Sequence, residues 1–220
     1  MLREILEALR KDNLLKQAFS RCYSMLDLCG PMVRTAIDSL RKQDTSLQSV
    51  DVDALTRQLE EFESKVRRKV MTHLALGNVG STGTGLSLIS VVLDIERIGD
   101  NSQNIVDLAR LHPTRLDVGP HEADLARLEA VTLDLLDRAV TAFKDEDAEA
   151  ARAVRADYKR EVFEIWNRLE ADLVSGKTQL SGGDAATLAL YARFLKRIAA
   201  HTRNLAGTIL HPIHELPDDD

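Results

Sequence analysis

Residues 93–109 read LDIERIGDNSQNIVDLA, and residues 193–209 read RFLKRIAAHTRNLAGTI. At an offset of 100, Arg97 lies over Arg197, Ile98 over Ile198, Asn104 over Asn204 and Ile105 over Leu205. The helices before them match more weakly at an offset of 92, where 66-VRRKV-70 lies over 158-YKREV-162. Self-similarity on this scale is the mark of a duplicated unit. The predicted unit holds three helices, and the chain holds two copies of it.

Helical periodicity recurs along the chain, and strand alternation does not. From Leu2 to about Leu40, residues such as Leu15, Ala18, Leu26, Val33 and Ile37 return to one face, and Gly30-Pro31 is expected to kink or split that run. After the polar stretch Lys42 to Ser49, Asp51 or Asp53 caps a second helix through Leu59, Phe62, Val66 and Leu74. The glycine-rich segment 77–85 reads as a connection. It lacks the Lys-Ser/Thr ending of a P-loop and has no preceding strand. A third helix runs from about Leu86 to Leu111, and residues 112–121 form a linker opened by His112-Pro113. Helices are then expected over about Glu122–Phe143, Glu146–Ser175 and Asp184–Leu210. The fold class is therefore all-α, as two tandem three-helix bundles. Residues 1–112 form the first repeat, 121–212 the second and 213–220 a tail.

Composition agrees with that class. Of the 220 residues 44% are apolar and only 4% aromatic, with few glycines and prolines, which favours helix packing over sheets. A net charge of −6 argues against a surface built for nucleic acid, and Lys65-Val-Arg-Arg-Lys69 reads as a solvated helix face. Cys22 and Cys29 stand seven apart, about 10 Å along a helix, too far for a disulfide. They read as small core residues in a reducing compartment. The amino-terminal stretch carries charges at helical spacing, unlike a signal peptide, and no run of 18 apolar residues occurs. A cytoplasmic protein is expected, touching a membrane only through a partner.

Within the first motif, Glu96, Asp100, Asn104 and Asp107 fall on one helical stripe, while Ile95, Ile98, Ile105 and Val106 point elsewhere into a core. Carboxylates four apart repel, so a neighbouring cation or a metal ion should compensate them. Hard cations suit such oxygens. Gly99 between the acids costs about 1 kcal/mol relative to alanine in a helix, which implies close approach of a second helix or a ligand.

The pattern Glu96-Arg97-Ile98-Gly99-Asp100 with Asn104-Ile105 resembles the signature of the PhoU family, repeated once in each of two three-helix bundles. The resemblance implies a regulator of phosphate uptake. Such a protein acts as a non-enzymatic adaptor on phosphate transporter components and a sensor histidine kinase. It also implies metal binding by the acid pair, here Glu96 and Asp100, accompanied by Arg97, Gly99 and Asn104. Iron, zinc, manganese and magnesium are not distinguished, and a homodimer is compatible with it. In the second copy Lys196 and Ala200 replace the two acids, so only Arg197, Asn204 and the apolar frame persist, with His201 nearby. A second metal cluster is not expected there.

Other readings compete less well. A metal-binding or metal-buffering helical protein without a transport role is the main alternative. The serines and histidines form no nucleophile–base pattern, and the Glu-x-x-His pairs of a di-iron bundle are missing from core-facing positions. A transcription factor would want a basic recognition helix.

Overall fold

The computed structural model describes residues 13–42, 50–76, 82–112 and 114–210. The expected helix start near Leu2, the polar stretch after Lys42, the glycine segment 77–81 and the tail 213–220 lie outside the described residues. Helix α1 spans Asn13–Lys42, α2 Val52–Ala75 and α3 Thr82–Leu111. A single 3-10 turn, Gly119–His121, leads into α4, Glu122–Asp145. Helix α5, Ala148–Asp157, continues through a π-helical turn, Tyr158–Val162, into α6, Phe163–Val174, and α7 spans Gly182–Leu210. Helices α5 and α6 with the turn between them make one rod, so the described residues form two sets of three rods.

Each helix forms for legible reasons. Along α1 the residues Leu15, Ala18, Phe19, Cys22, Met25, Leu26, Cys29, Met32, Val33, Ala36 and Leu40 are buried at helical spacing. Pro31 does not split this helix. It sits on the exposed side, where the Asp27 carbonyl it leaves without an amide partner can meet water. Asp51 caps α2 by accepting a hydrogen bond from the Ala54 amide at 2.9 Å. Asp147 caps α5 from the Glu149 and Ala150 amides, directly after Glu146 closes α4 in the left-handed region at φ 57°. Helix α3 starts at Thr82, earlier than the expected Leu86, and so takes in Gly83 and Gly85. A Cβ on Gly85 would lie 2.8 Å from Val70 Cγ1, so this glycine serves the contact of α3 with α2.

In the first repeat α1, α2 and α3 pack on one another; in the second α7 packs on α4, α5 and α6. The repeats meet where α3 lies against α7 and α1 against α4. Phe19, Tyr23 and Phe143 interlock at the α1–α4 contact, with ring centroids 5.0 to 5.9 Å apart. Ion pairs of Arg34 with Asp137, Lys144 with Asp27 and Arg41 with Glu122 and Glu129 flank it. The buried apolar side chains of both repeats form one continuous core. Cys22 and Cys29 belong to it, and burial pushes each thiol up to about 12. Neither forms a disulfide.

Candidate functional site at the seam between the repeats

The two motif helices, α3 and α7, face each other across the joint. Asp94 of α3 meets His201 and Asn204 of α7 at one end, and Arg97 to Asn104 gather with Arg193 to Arg197 at the other. The sequence numbers run in opposite senses, so the helices are antiparallel. The duplicated motifs thus lie back to back about a pseudo-twofold centred near Gly99 and Ala199.

The apolar members of the first motif do what their spacing implies: Ile95, Ile98 and Ile105 are fully buried and Val106 nearly so. Gly99 serves packing. An added Cβ would fall 2.4 Å from Leu59 Cδ1 of α2 and 3.5 Å from Met32 Cε of α1, inside the first repeat. Asn101 and Ser102 turn back on the helix, donating to the Arg97 and Ile98 carbonyls at 2.6 and 2.8 Å.

The polar stripe does not converge on one site. Burial, and next the Asp100 carboxylate, raise the Glu96 carboxyl above its ordinary value, with Arg97 opposing and the α2 pair Glu63 and Arg67 adding smaller effects. Asp100 is half-buried and accepts from Arg97 Nη1 at 2.8 Å. Asp107 instead joins Arg110, Gln103 and Asp53 of α2 in a separate surface network. The compensation that the like charges require comes from Arg97. Among the described residues no three His, Cys, Asp or Glu side chains form a group that could hold a metal ion. Two neighbouring carboxylates completed by water suit a hard cation such as magnesium better than zinc, which takes four protein ligands in closed sites.

In the second repeat the position of Glu96 belongs to Lys196. Its ammonium sits 4.7 Å from the Trp166 ring centroid and 5.5 Å from that of Phe163. Burial lowers its pKa, with Glu170 opposing. This position holds its own cation on aromatic faces. His201 is hydrogen-bonded through Nδ1 to Asp94 Oδ1 at 2.9 Å. Asn204 Nδ2 donates to the same oxygen at 3.4 Å, and its own Oδ1 accepts from Arg203, which lies over Tyr158 of the π turn. Arg197 lines the seam cleft with Arg97 and Asn104.

Four residues at the seam escape a motif reading: Asp94, Asn101, Arg193 and Phe194. The signal for them lies in the same 100-residue overlay, as mismatches: Asp94 over Phe194, Asn101 over His201 and Leu93 over Arg193. The basic stretch Lys65–Lys69 is partly matched on its own helix, with Lys65 to Glu61 and Arg67 to Glu63, while Lys69 donates to Gln17 of α1.

Among the described residues no helix is long and apolar enough to cross a membrane. The PhoU domain model matches residues 23–109 and again 125–209. The crystal structure of PhoU from Pseudomonas aeruginosa is similar at TM-score 0.79 and 21% identity, over 91% of this chain and 97% of that one. That of the phosphate transport system regulatory protein PhoU from Streptococcus pneumoniae is similar at TM-score 0.77 and 18% identity, over 93% and 97%. No curated protein matches the sequence.

Proposed function

The chain belongs to the PhoU domain family, and from that premise we propose that it regulates phosphate uptake and phosphate-responsive signalling as a non-enzymatic adaptor. The observation that carries this reading is the family match to both repeats, 23–109 and 125–209, in a fold shared nearly end to end with a phosphate transport system regulatory protein. The partners we infer are components of a phosphate transporter and its sensor histidine kinase. Two repeats locked by a common core present long exposed helix faces in fixed relation, as an adaptor requires. Affinity capture of the tagged protein from phosphate-replete and phosphate-starved cells tests this. The reading expects a transporter ATPase or a histidine kinase in the replete sample, and recovery of neither contradicts it.

A second reading, metal binding, is favoured by the closeness of Glu96 and Asp100, with Glu63 nearby. These residues would hold a water-rich cation, and it would serve structure or signalling. Elemental analysis of the purified protein should find metal that Glu96→Ala/Asp100→Ala loses. Metal below stoichiometry and unchanged in that variant ends this reading without touching the adaptor.

A further inference from the structure

The pseudo-twofold at the seam exposes an imbalance between its two ends. At one end α7 offers His201 and Asn204, and α3 answers with a carboxylate, Asp94, which both contact. At the other end the counterparts on α3 are Asn101 and Asn104, and the place of the carboxylate is taken by Phe194. There a cleft of about 200 Å³ is lined by Arg97, Asp100, Asn101, Asn104, Arg193, Phe194 and Arg197. One water needs about 10–15 Å³ by such a measure, so the cleft has room for a small ligand.

Its charge is as uneven as its shape. Three guanidiniums share the cleft with one carboxylate, and that carboxylate, Asp100, is already bonded to Arg97. Among the described residues neither Arg193 nor Arg197 has an acid within ion-pair distance. Among the other described arginines, Arg34, Arg41, Arg110, Arg127, Arg138 and Arg168 all pair with carboxylates. Guanidinium forks match oxyanions in bidentate geometry. Two excess positive charges call for a doubly charged anion. Asp100, an acceptor inside the cleft, repels an anion that only accepts, such as sulfate, but can take a hydrogen bond from the hydroxyl of hydrogen phosphate.

We propose that the cleft between α3 and α7 is a binding site for inorganic phosphate, with Arg193 and Arg197 as principal cations, Arg97 and Asn104 as further donors and Asp100 as acceptor for the phosphate hydroxyl. The site occupies the place that Asp94 fills at the opposite end of the seam. It spans both repeats, so occupancy would pull α3 and α7 together. The proposal stands apart from the adaptor reading and needs only the purified chain.

Isothermal titration of the metal-free protein with inorganic phosphate, sulfate and glucose 6-phosphate at constant ionic strength tests it. Arg193→Gln and Arg197→Gln are compared with Arg152→Gln, an exposed arginine on α5. Circular dichroism checks that each variant is folded. Saturable phosphate binding is expected, at least tenfold weaker in Arg193→Gln and Arg197→Gln, unchanged in Arg152→Gln, and tighter than sulfate. Asp100→Asn should narrow the preference over sulfate. Tighter binding of glucose 6-phosphate with the same arginine dependence supports the site and places the phosphate on a small molecule. Absence of saturable binding by either phosphate compound overturns the proposal. So does binding unaffected by the seam arginines, or sulfate bound as tightly as phosphate. Loss of a captured protein partner in the arginine variants, without phosphate binding, likewise overturns it and makes the cleft a protein contact.

Discussion

His201 Nδ1 lies 2.9 Å from Asp94 Oδ1, a hydrogen bond that ties the last helix of the second repeat to the last helix of the first. Both side chains are largely shielded, at 21% and 15% exposure, so water replaces the bond poorly. Asp94→Ala strips an acceptor from His201 and Asn204 together. It should cost about 1–3 kcal/mol in urea unfolding. The double variant with His201→Ala should fall short of the summed single losses by about 0.5–3 kcal/mol. Strict additivity would mean that the pair does not couple the repeats.

A Cβ at Gly99 would collide with Leu59 Cδ1 of α2, and the buried Leu59 side chain has little room to withdraw. Gly99→Ala gains up to about 1 kcal/mol of helix propensity but incurs overpacking of about 1–3 kcal/mol. A net loss near 1 kcal/mol is expected. In a Leu59→Ala background the same change should stabilise, because the colliding methyl is gone. Gly83→Ala, with open space around its Cβ, should raise the melting temperature. A stabilising Gly99→Ala in the wild-type background would mean that the contact with Leu59 does not require a glycine there.

Trp166 is the single tryptophan of the chain and lies under the Lys196 ammonium, so its fluorescence reports that contact. Lys196→Glu places an anion over two ring faces. It should forfeit about 0.5–2 kcal/mol of cation–π attraction and shift the Trp166 emission, while Lys196→Arg keeps most of both. Unchanged emission and stability in Lys196→Glu would mean that the lysine is merely solvated.

Glu129 carries a pH signature. Burial raises its carboxyl above the ordinary value of 4.5, with the Tyr191 hydroxyl at 2.7 Å and Arg41 opposing. The folded state therefore binds this proton more tightly than the unfolded state. The stability Glu129 contributes is full below about pH 4.5 and is lost as pH rises through its folded value. Glu129→Gln keeps an acceptor for Tyr191 but does not titrate. The stability of the wild type minus that of Glu129→Gln, from urea midpoints at a series of pH values, should fall as pH climbs from about 4.5. A difference that grows with pH would mean that the pairing with Arg41 outweighs burial.

The helices were legible because burial at helical spacing repeats in every long segment, as Leu15 to Leu40 of α1 show. The duplication was legible because Arg97 and Arg197, Asn104 and Asn204 keep their order at a fixed offset. Two local features did not follow the simple signals. Pro31 reads as a break, yet an exposed proline in a long helix anchored by core contacts on both sides costs too little to end it. Gly83 and Gly85 read as a loop, yet Gly85 lies within α3 because Val70 needs the room.

The site was legible only in part. Periodicity puts Glu96, Asp100, Asn104 and Asp107 on one stripe, but a stripe does not say which neighbour each residue meets. Tertiary packing sends Asp107 to Asp53 and Arg110 and leaves Asp100 at the seam with Arg97. Which helix faces α3 across the repeats is a long-range fact. It gives Asp94 and Arg193 their meaning, and neither belongs to the repeated pattern.

The central proposal is that the chain regulates phosphate-responsive signalling, and the resemblance to the PhoU family implies that it restrains that signalling when phosphate is plentiful. Its most direct test is a phosphate-starvation reporter measured in phosphate-replete medium, in the organism that encodes the chain, before and after deletion of its gene. The account predicts that deletion switches the reporter on and that the wild-type chain, supplied in trans, switches it off. A reporter that stays off after deletion, and still rises normally on starvation, would contradict it.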